Sequence, residues 1–342
     1  MIRRLFLAAI LTPSLALAAP DHQAVAERTL AQVTSASAGF AAATEALRGA
    51  APAACEAIDA EVLQTRFHAA WDAWMALHPM RFGPLEDEDR ALQIAFWPDS
   101  RGTTGRTVSR ALKSQNLPLD DPSAFGNGSV ASRGFYALER LLFNDDGAIP
   151  LTDPYRCRYV AAVAVDLDRL ADEIAASWAG PWGTRVSTAG APGNDTYLAA
   201  DEVSLRLFAS LTGSLDETIK TRITVPLGSF QKPKPRVAEA RRSGRSLQQI
   251  ALNTQAVGSA ALTIFGPELS SEAVGQIEAA LAAVEDSLAD LRAIGMLPEV
   301  LVSDQLKVEI LGQKVTGLNN ALRATVGPGL GIAEGFNSAD GD

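Results

Sequence analysis

One segment of the sequence, residues 134–143, places a tyrosine and a glutamate among apolar residues. Tyr136 and Glu139 are three residues apart, so a helix would bring both side chains to one face. A carboxylate in apolar surroundings is either paired with a cation or has its ionised form disfavoured by burial. Two interpretations are therefore open for Glu139: a structural role, in which an arginine from elsewhere neutralises it, or a role in ligand binding.

Tyr136 and Glu139 would supply one phenolate and one carboxylate oxygen, which are hard ligands suited to ferric iron. A tyrosine with a pKa of about 10 must lose its proton to bind a metal well, which ferric iron can drive and zinc usually cannot. The two residues are thus a candidate metal pair, with iron as the candidate metal. In the alternative interpretation Tyr136 is a packing residue whose hydroxyl is hydrogen-bonded across a domain interface.

A basic cluster lies in the second half of this acidic chain. Arginine binds oxyanions through two parallel hydrogen bonds, so the cluster could clamp an anion or a carboxylate opposite Glu139. The alternative is a set of salt bridges between two domains. The cluster consists of Lys232, Lys234, Arg236, Arg241, Arg242 and Arg245.

The composition excludes several classes of protein. Thirty Lys and Arg against forty Asp and Glu give a net charge of −10, which becomes −12 if Arg3 and Arg4 are removed with an export signal. A surface this negative repels phosphate backbones, so nucleic-acid binding is not expected. Three histidines and two cysteines cannot assemble a zinc finger, an iron–sulfur site or a multi-histidine metal centre.

Residues 1–19 have the pattern of an export signal. Arg3 and Arg4 precede an apolar run, and small residues stand before the expected cleavage point near Ala18 and Ala19. A membrane-spanning helix needs about 20 apolar residues, and no later stretch reaches that length without charges. The sequence therefore predicts a soluble, periplasmic protein that does not span the membrane.

Export would place Cys55 and Cys157 in a compartment where disulfides persist. A bond between them would close a loop of about 100 residues, for which the chain-entropy model gives roughly 4–5 kcal/mol of stabilisation. The alternative is two separate small, buried thiols.

Apolar residues recur at alternating steps of three and four along most of the chain, which predicts long amphipathic helices and an all-α fold. Such helices form antiparallel bundles when their connections are short. Residues 180–195 are rich in glycine and proline, so we predict a boundary there between a bundle at 20–180 and a bundle at 181–342. The clearest helical faces contain Ala26, Leu30, Val33 and Phe40, then Val160, Val163, Leu167 and Leu170, and then Ile277, Leu281, Val284 and Leu288.

The segment around Glu139 resembles the signature of the imelysin-like family, also called peptidase family M75. That signature is a glycine, a histidine two residues on and a glutamate three residues further. Gly134 and Glu139 match it, whereas Tyr136 stands at the histidine position. Four further segments also resemble the family: residues 74–84, which contain Arg81, residues 96–99, which end at Asp99, residues 239–247, and the C-terminal residues 335–342.

The resemblance implies two helical bundles packed side by side, a cleft between them near the signature helix, an exported location and a link to bacterial iron uptake. It implies a ligand site made of Arg81, Asp99, Gly134, Tyr136 and Glu139 from the first bundle and Glu239, Arg242, Ser243 and Arg245 from the second.

The first functional hypothesis is an exported binding or accessory protein of iron uptake that takes iron, an iron chelate or a peptide. A periplasmic or membrane partner in iron uptake would fit this hypothesis. The alternatives are an M75-type metallopeptidase and a partner-docking protein without a small-molecule site. The peptidase is disfavoured because the signature histidine is replaced by Tyr136 and the chain has no HExxH helix.

Overall fold

A computed structural model describes residues 19–332 of the chain. Residues 1–18 of the expected export signal and the family-like C-terminal segment 335–342 lie outside the described residues. The described part is helical nearly throughout, which confirms the all-α class. Its helices are α1 (His22–Ala57), α2 (Ala60–Leu77), α3 (Arg90–Ile94), α4 (Thr103–Ser114), α5 (Pro122–Gly126), α6 (Gly134–Leu142), α7 (Pro154–Ala179), α8 (Pro181–Ser187), α9 (Ala200–Glu217), α10 (Val225–Leu227), α11 (Ser246–Ala260), α12 (Ser271–Ile294), α13 (Leu297–Ser303) and α14 (Gln305–Gly329).

Helix α1 is the central element of the N-terminal half, residues 19–180. It begins at Asp21, whose side chain accepts a hydrogen bond of 3.0 Å from the backbone N–H of Ala24 and so satisfies a free donor of the first turn. Val33, Phe40 and Leu47 follow at seven-residue steps and are fully buried. This single apolar face packs against α2 and α7, so the spacing predicted from sequence is the spacing that fills the core.

The C-terminal half, residues 181–332, is built around α9, α11, α12 and α14. Helices α12 and α14 pack together along their apolar faces, and α9 and α11 cover them. Contacts of α1 with α9 and of α2 with α11 join this bundle to the N-terminal half, and the buried apolar residues of both halves form one continuous cluster. The division at residue 180 stays a prediction, since α1 contacts helices on both sides of it.

Cys55 and Cys157 form a disulfide, as predicted, with their Cα atoms 5.8 Å apart. The bond joins the C-terminal end of α1 to the first turns of α7, the two helices that share the largest interface of the fold. It therefore fixes the C-terminal end of α1 against α7.

Several short features lie between the helices, and two of them flank the segments discussed below. A two-residue hairpin follows α6, with β1 (Phe143–Asn144) antiparallel to β2 (Gly147–Ala148). Between α9 and α10 the chain forms a π-helical stretch, Thr218–Thr224. Between residues 19 and 332, no helix combines the length and the hydrophobicity needed to cross a membrane.

Candidate functional site

Gly134 sets the position of α6, the helix that contains Tyr136 and Glu139. Its backbone φ is +71°, and a Cβ atom added there would lie 2.5 Å from the carbonyl oxygen of Ile94. Only glycine fits, because the left-handed conformation and the close contact both exclude a side chain. Gly134 therefore lets α6 begin directly against the end of α3, which places Tyr136 and Glu139.

Glu139 is 5% exposed and is held by the other half of the protein. Its Oε1 atom accepts hydrogen bonds from the backbone N–H of Ser243 at 3.0 Å and from the Ser243 hydroxyl at 2.8 Å. Burial raises the pKa of Glu139, although the two Ser243 hydrogen bonds and the charges of Arg242 and Arg140 oppose that shift.

A tight turn presents Ser243 to Glu139. The backbone N–H of Arg245 donates to the carbonyl of Ala240 at 2.9 Å and closes the turn just before α11. Ala240 and Gly244 both have positive φ, and Ala240 is an alanine in a conformation that alanine seldom adopts. Unusual backbone of this kind concentrates at functional sites, which fits the position of this turn in the cavity wall.

Tyr136 takes part in a buried network that crosses between the halves. Its hydroxyl donates a hydrogen bond to Glu239 Oε1, and Glu239 Oε2 lies 2.5 Å from Arg222 Nε. Burial and the neighbouring Glu239 carboxylate raise the pKa of Tyr136 well above its ordinary value. Arg222 also donates to the hydroxyl of Thr218 at 3.0 Å. The phenol of Tyr136 therefore keeps its proton in this arrangement, because its hydroxyl already donates a hydrogen bond to the Glu239 carboxylate.

A cavity of about 190 Å³ lies where the two halves meet. This volume accommodates several water molecules or a small organic group. Trp97 stacks on Tyr136 with the ring centres 5.2 Å apart and forms part of the apolar wall. The charged residues of the wall are Asp99, Glu139, Arg140, Arg236, Arg241 and Arg242.

Asp99 is in the cavity wall, but its carboxylate is engaged by the backbone. It accepts hydrogen bonds from the N–H groups of Thr103 at 2.7 Å and Thr104 at 2.8 Å, at the start of α4. Burial alone would raise its pKa, but these hydrogen bonds outweigh burial and lower the pKa of Asp99. Asp99 therefore holds the N-terminus of α4 against the cavity.

Some arginines of the basic cluster form salt bridges, and some line the cavity. Arg241 Nη2 and Arg242 Nε lie 2.9 Å and 3.2 Å from Asp145 Oδ1, while Arg245 pairs with Asp72 on α2. Both acidic partners belong to the N-terminal half, so these contacts are salt bridges between the halves. Arg242 also lines the cavity, and Arg245 does not.

The structure does not bring Arg81 to this cavity. Arg81 is exposed and lines an outer depression with His78 and Glu217, but it also lines an adjoining pocket that contains Tyr136 and Glu239. Two residues that the sequence did not single out are important to the site. Arg222 lies in the π-helical stretch and belongs to no recognisable sequence motif. Arg140 could have been predicted, because it directly follows Glu139 in the sequence.

The lowered pKa of His68 predicts how the free energy of unfolding depends on pH. Its ring stacks on Phe143, with centres 5.5 Å apart, and burial together with the charge of Arg245 lowers its pKa from 6.5 to about 4. Between these values the unfolded chain binds a proton that the folded protein does not, so the free energy of unfolding falls as the pH drops from 6.5 to 4. We expect His68→Phe to remove roughly 1–2 kcal/mol of this fall, a discounted figure because His68 is only half-buried.

Urea unfolding of both proteins at pH 7.5 and pH 4.5 measures the effect. His78, whose pKa is also lowered by burial, contributes equally to the two proteins and cancels in the difference. Equal losses of stability in the variant and the wild type would show that His68 does not couple folding to pH.

Comparison with known proteins places this fold in a family. The family model for imelysin, peptidase family M75, matches residues 33–325. An imelysin-like protein from Psychrobacter arcticum has a TM-score of 0.75 at 20% identity, over 93% of this chain and 99% of that chain. A protein named as an iron-regulated protein A precursor, from Parabacteroides distasonis, has a TM-score of 0.72 at 14% identity, over 92% of this chain and 96% of that chain.

No curated protein sequence matches the chain significantly. At such low identities the two solved structures show a shared fold, and that fold extends over nearly the whole of each chain. The family model adds the sequence evidence across both halves. The chain therefore belongs to the imelysin family, peptidase family M75, as the signature segment around Glu139 suggested.

Proposed function

We propose that this protein is a periplasmic binding protein of iron acquisition that holds an anionic iron chelate in the cavity beside Glu139. Family membership supports the type of protein, and the name of the Parabacteroides distasonis relative, an iron-regulated protein A precursor, supports the iron context and the export. The observation that carries the proposal is the carboxyl group of Glu139, held by Ser243 in the wall of a cavity between the two halves.

The charges around the cavity favour a chelate over a bare cation. Arg140, Arg236, Arg241 and Arg242 line it, whereas Asp99 is already engaged by the start of α4. A bare cation would be repelled by the arginines. A metal carried by an anionic ligand would instead place ligand oxygens against the guanidinium groups, which bind oxyanions well.

Glu139 is the proposed contact to the metal or to a hydroxyl group of the chelate. Oε1 accepts from Ser243, while Oε2 accepts no hydrogen bond from residues 19–332. Tyr136 is the second candidate ligand. Its proton would first have to move onto Glu239, so we expect Tyr136 mainly to shape the wall of the cavity.

Titration calorimetry with ferric citrate, and with gallium citrate as a redox-inert substitute, tests the proposal. We expect Glu139→Ala to weaken binding about 10-fold to 100-fold, because a charge-assisted contact contributes roughly 1.5–3 kcal/mol. Glu285→Ala removes an exposed carboxylate on α12 and is the matched control. Circular dichroism checks that each variant folds, and Glu139→Gln, which keeps the side-chain shape, provides a milder second variant.

Wild-type protein that binds neither citrate complex would overturn the proposal. So would a folded Glu139→Ala variant with the affinity of the wild type.

A further inference from the structure

We propose that α4 carries a second, anion-binding compartment of the same site, connected to the Glu139 cavity through Arg140, and that the ligand is an extended polyanion with several oxyanionic groups. This inference rests on the proposed function, because it names the chemical class of the ligand and the path along which it lies. Carboxylates and phosphates share the chemistry that the compartment would recognise.

One face of α4 is basic and open to solvent. Arg106, Arg110 and Lys113 follow one another at helical steps of four and three, so their side chains share that face. The face borders a shallow groove of about 830 Å³ that is largely open to solvent. The opposite face, with Val108 and Ala111, is buried against the core. Helix α4 contains no acidic residue, so nothing on the helix itself compensates these charges.

These cations have no acidic partner in the described part of the chain. Arg106, Arg110 and Lys113 form no salt bridge with any residue between 19 and 332, and Arg106 contacts only the carbonyl of Arg101 and the hydroxyl of Thr103. Some arginines elsewhere on the surface do pair with carboxylates: Arg169, for example, lies 2.7 Å from Asp166 and 2.7 Å from Glu173. The chain has forty acidic residues, so a lack of carboxylates does not explain why these three cations form no salt bridge.

Arg140 connects the two compartments. It lines both the Glu139 cavity and the groove along α4, as does Gly102. Its guanidinium lies against Gly105, where a Cβ atom would come within 2.7 Å of Nη1, so the absence of a side chain at Gly105 makes the room that Arg140 occupies.

Within residues 19–332 the side chain of Arg140 makes neither a salt bridge nor a hydrogen bond, although it is partly buried. Burial lowers its pKa, the Glu139 charge opposes that shift, and the charge of Arg241 adds to it. A partly buried, unpaired guanidinium is unfavourable in the free protein. A ligand oxyanion at this point would supply the missing partner.

The dimensions indicate an extended ligand. From Arg106 to Lys113 the helix rises by about 10 Å, at about 1.5 Å per residue. A ligand that contacts both Glu139 and this stripe must carry separated charged groups on either side of Arg140. A polycarboxylate chelate or a polyphosphate meets this requirement, whereas a monoanion such as acetate reaches only one compartment.

Two sets of variants test the inference in the full-length protein. Arg106→Gln/Arg110→Gln removes two exposed charges of the stripe, and Arg140→Gln removes the connecting residue. Lys220→Gln/Lys314→Gln is the matched control, because it removes the same amount of charge from exposed residues on other elements. Binding of ferric citrate, citrate, tripolyphosphate and acetate is measured by calorimetry at low and high salt.

We expect the Arg106/Arg110 double variant to bind the polyanions at least 10-fold more weakly and with a smaller salt dependence than the wild type. The Lys220/Lys314 control should stay within about 2-fold, since neither residue lines the groove or the cavity. Acetate should bind weakly to every protein. Preference for citrate or for tripolyphosphate assigns the oxyanions as carboxylates or phosphates, and either preference supports the inference.

Loss of binding in Glu139→Ala with unchanged binding in the folded Arg106/Arg110 variant would overturn the second compartment and leave the cavity intact. Loss in the Arg106/Arg110 variant with unchanged binding in Glu139→Ala would instead overturn the cavity as the ligand site and keep the compartment. Absence of polyanion binding to the wild type would overturn both. Because Arg106 and Arg110 are exposed, their replacement tests the inference even if Arg140→Gln fails to fold.

Discussion

Glu239→Ala is expected to lower the free energy of unfolding by about 3–5 kcal/mol, because it leaves the buried charge of Arg222 without a partner. Glu239 and Arg222 are 2% and 3% exposed, and they are joined at 2.5 Å between Oε2 and Nε. The same variant also removes the acceptor of the Tyr136 hydroxyl. Urea unfolding followed by circular dichroism measures the loss.

Replacement of both partners separates the ion pair from its surroundings. Arg222→Met/Glu239→Met replaces both charges by apolar groups, and we expect it to be much closer to the wild type than Glu239→Ala. Tyr136→Phe should cost only about 1 kcal/mol, since it removes one hydrogen bond and leaves the ion pair in place. A loss below about 1 kcal/mol in Glu239→Ala would contradict the view that the buried charge of Arg222 depends on Glu239 as its partner.

The second large effect concerns the disulfide between Cys55 and Cys157. Replacement of both residues by alanine is expected to lower the free energy of unfolding by roughly 4–5 kcal/mol, because the bond closes a loop that restricts the unfolded chain. The two cysteines are 102 residues apart in the sequence. Guanidinium unfolding of the oxidised wild type and of the variant gives this difference directly.

Reduction of the wild type supplies the control for the disulfide. The reduced wild type and the Cys55→Ala/Cys157→Ala variant should unfold at similar denaturant concentrations, and a reducing agent should leave the variant unchanged. A difference of less than about 1 kcal/mol between the oxidised wild type and the variant would contradict the expected stabilisation.

The helices could be predicted because their signal is local. Val33, Phe40 and Leu47 repeat at the spacing of one helix face, and all three are buried in the core. The disulfide was predicted from the presence of two cysteines and an export signal. Gly134 and Glu139 could be found because both belong to one short segment of sequence.

The polar partners could not be predicted because they are brought together by tertiary packing. Glu139 is held by Ser243, more than one hundred residues later, and not by an arginine. Arg222 meets Glu239 from a π-helical stretch for which the sequence offers no recognisable pattern. A charge is free to pair with any nearby opposite charge, so residue spacing does not determine the pairing.

Tertiary packing also decides which of the residues suggested by the family resemblance line the cavity. Asp99 and Arg242 do reach the cavity with Tyr136 and Glu139, while Arg81 lines an adjoining pocket with Tyr136 and Glu239. The stripe on α4 was overlooked because each of its cations, taken singly, looks like an ordinary exposed residue. Only the fold shows that the stripe adjoins the cavity through Arg140.

Crystals of the protein grown with ferric citrate, with diffraction recorded at the iron absorption edge, test the central claim most directly. We expect one dominant anomalous peak inside the cavity between Glu139 and Arg140, with citrate oxygens against the guanidinium. A dominant iron peak elsewhere, or an empty cavity at saturating ferric citrate, would contradict the proposal that this cavity is the ligand site.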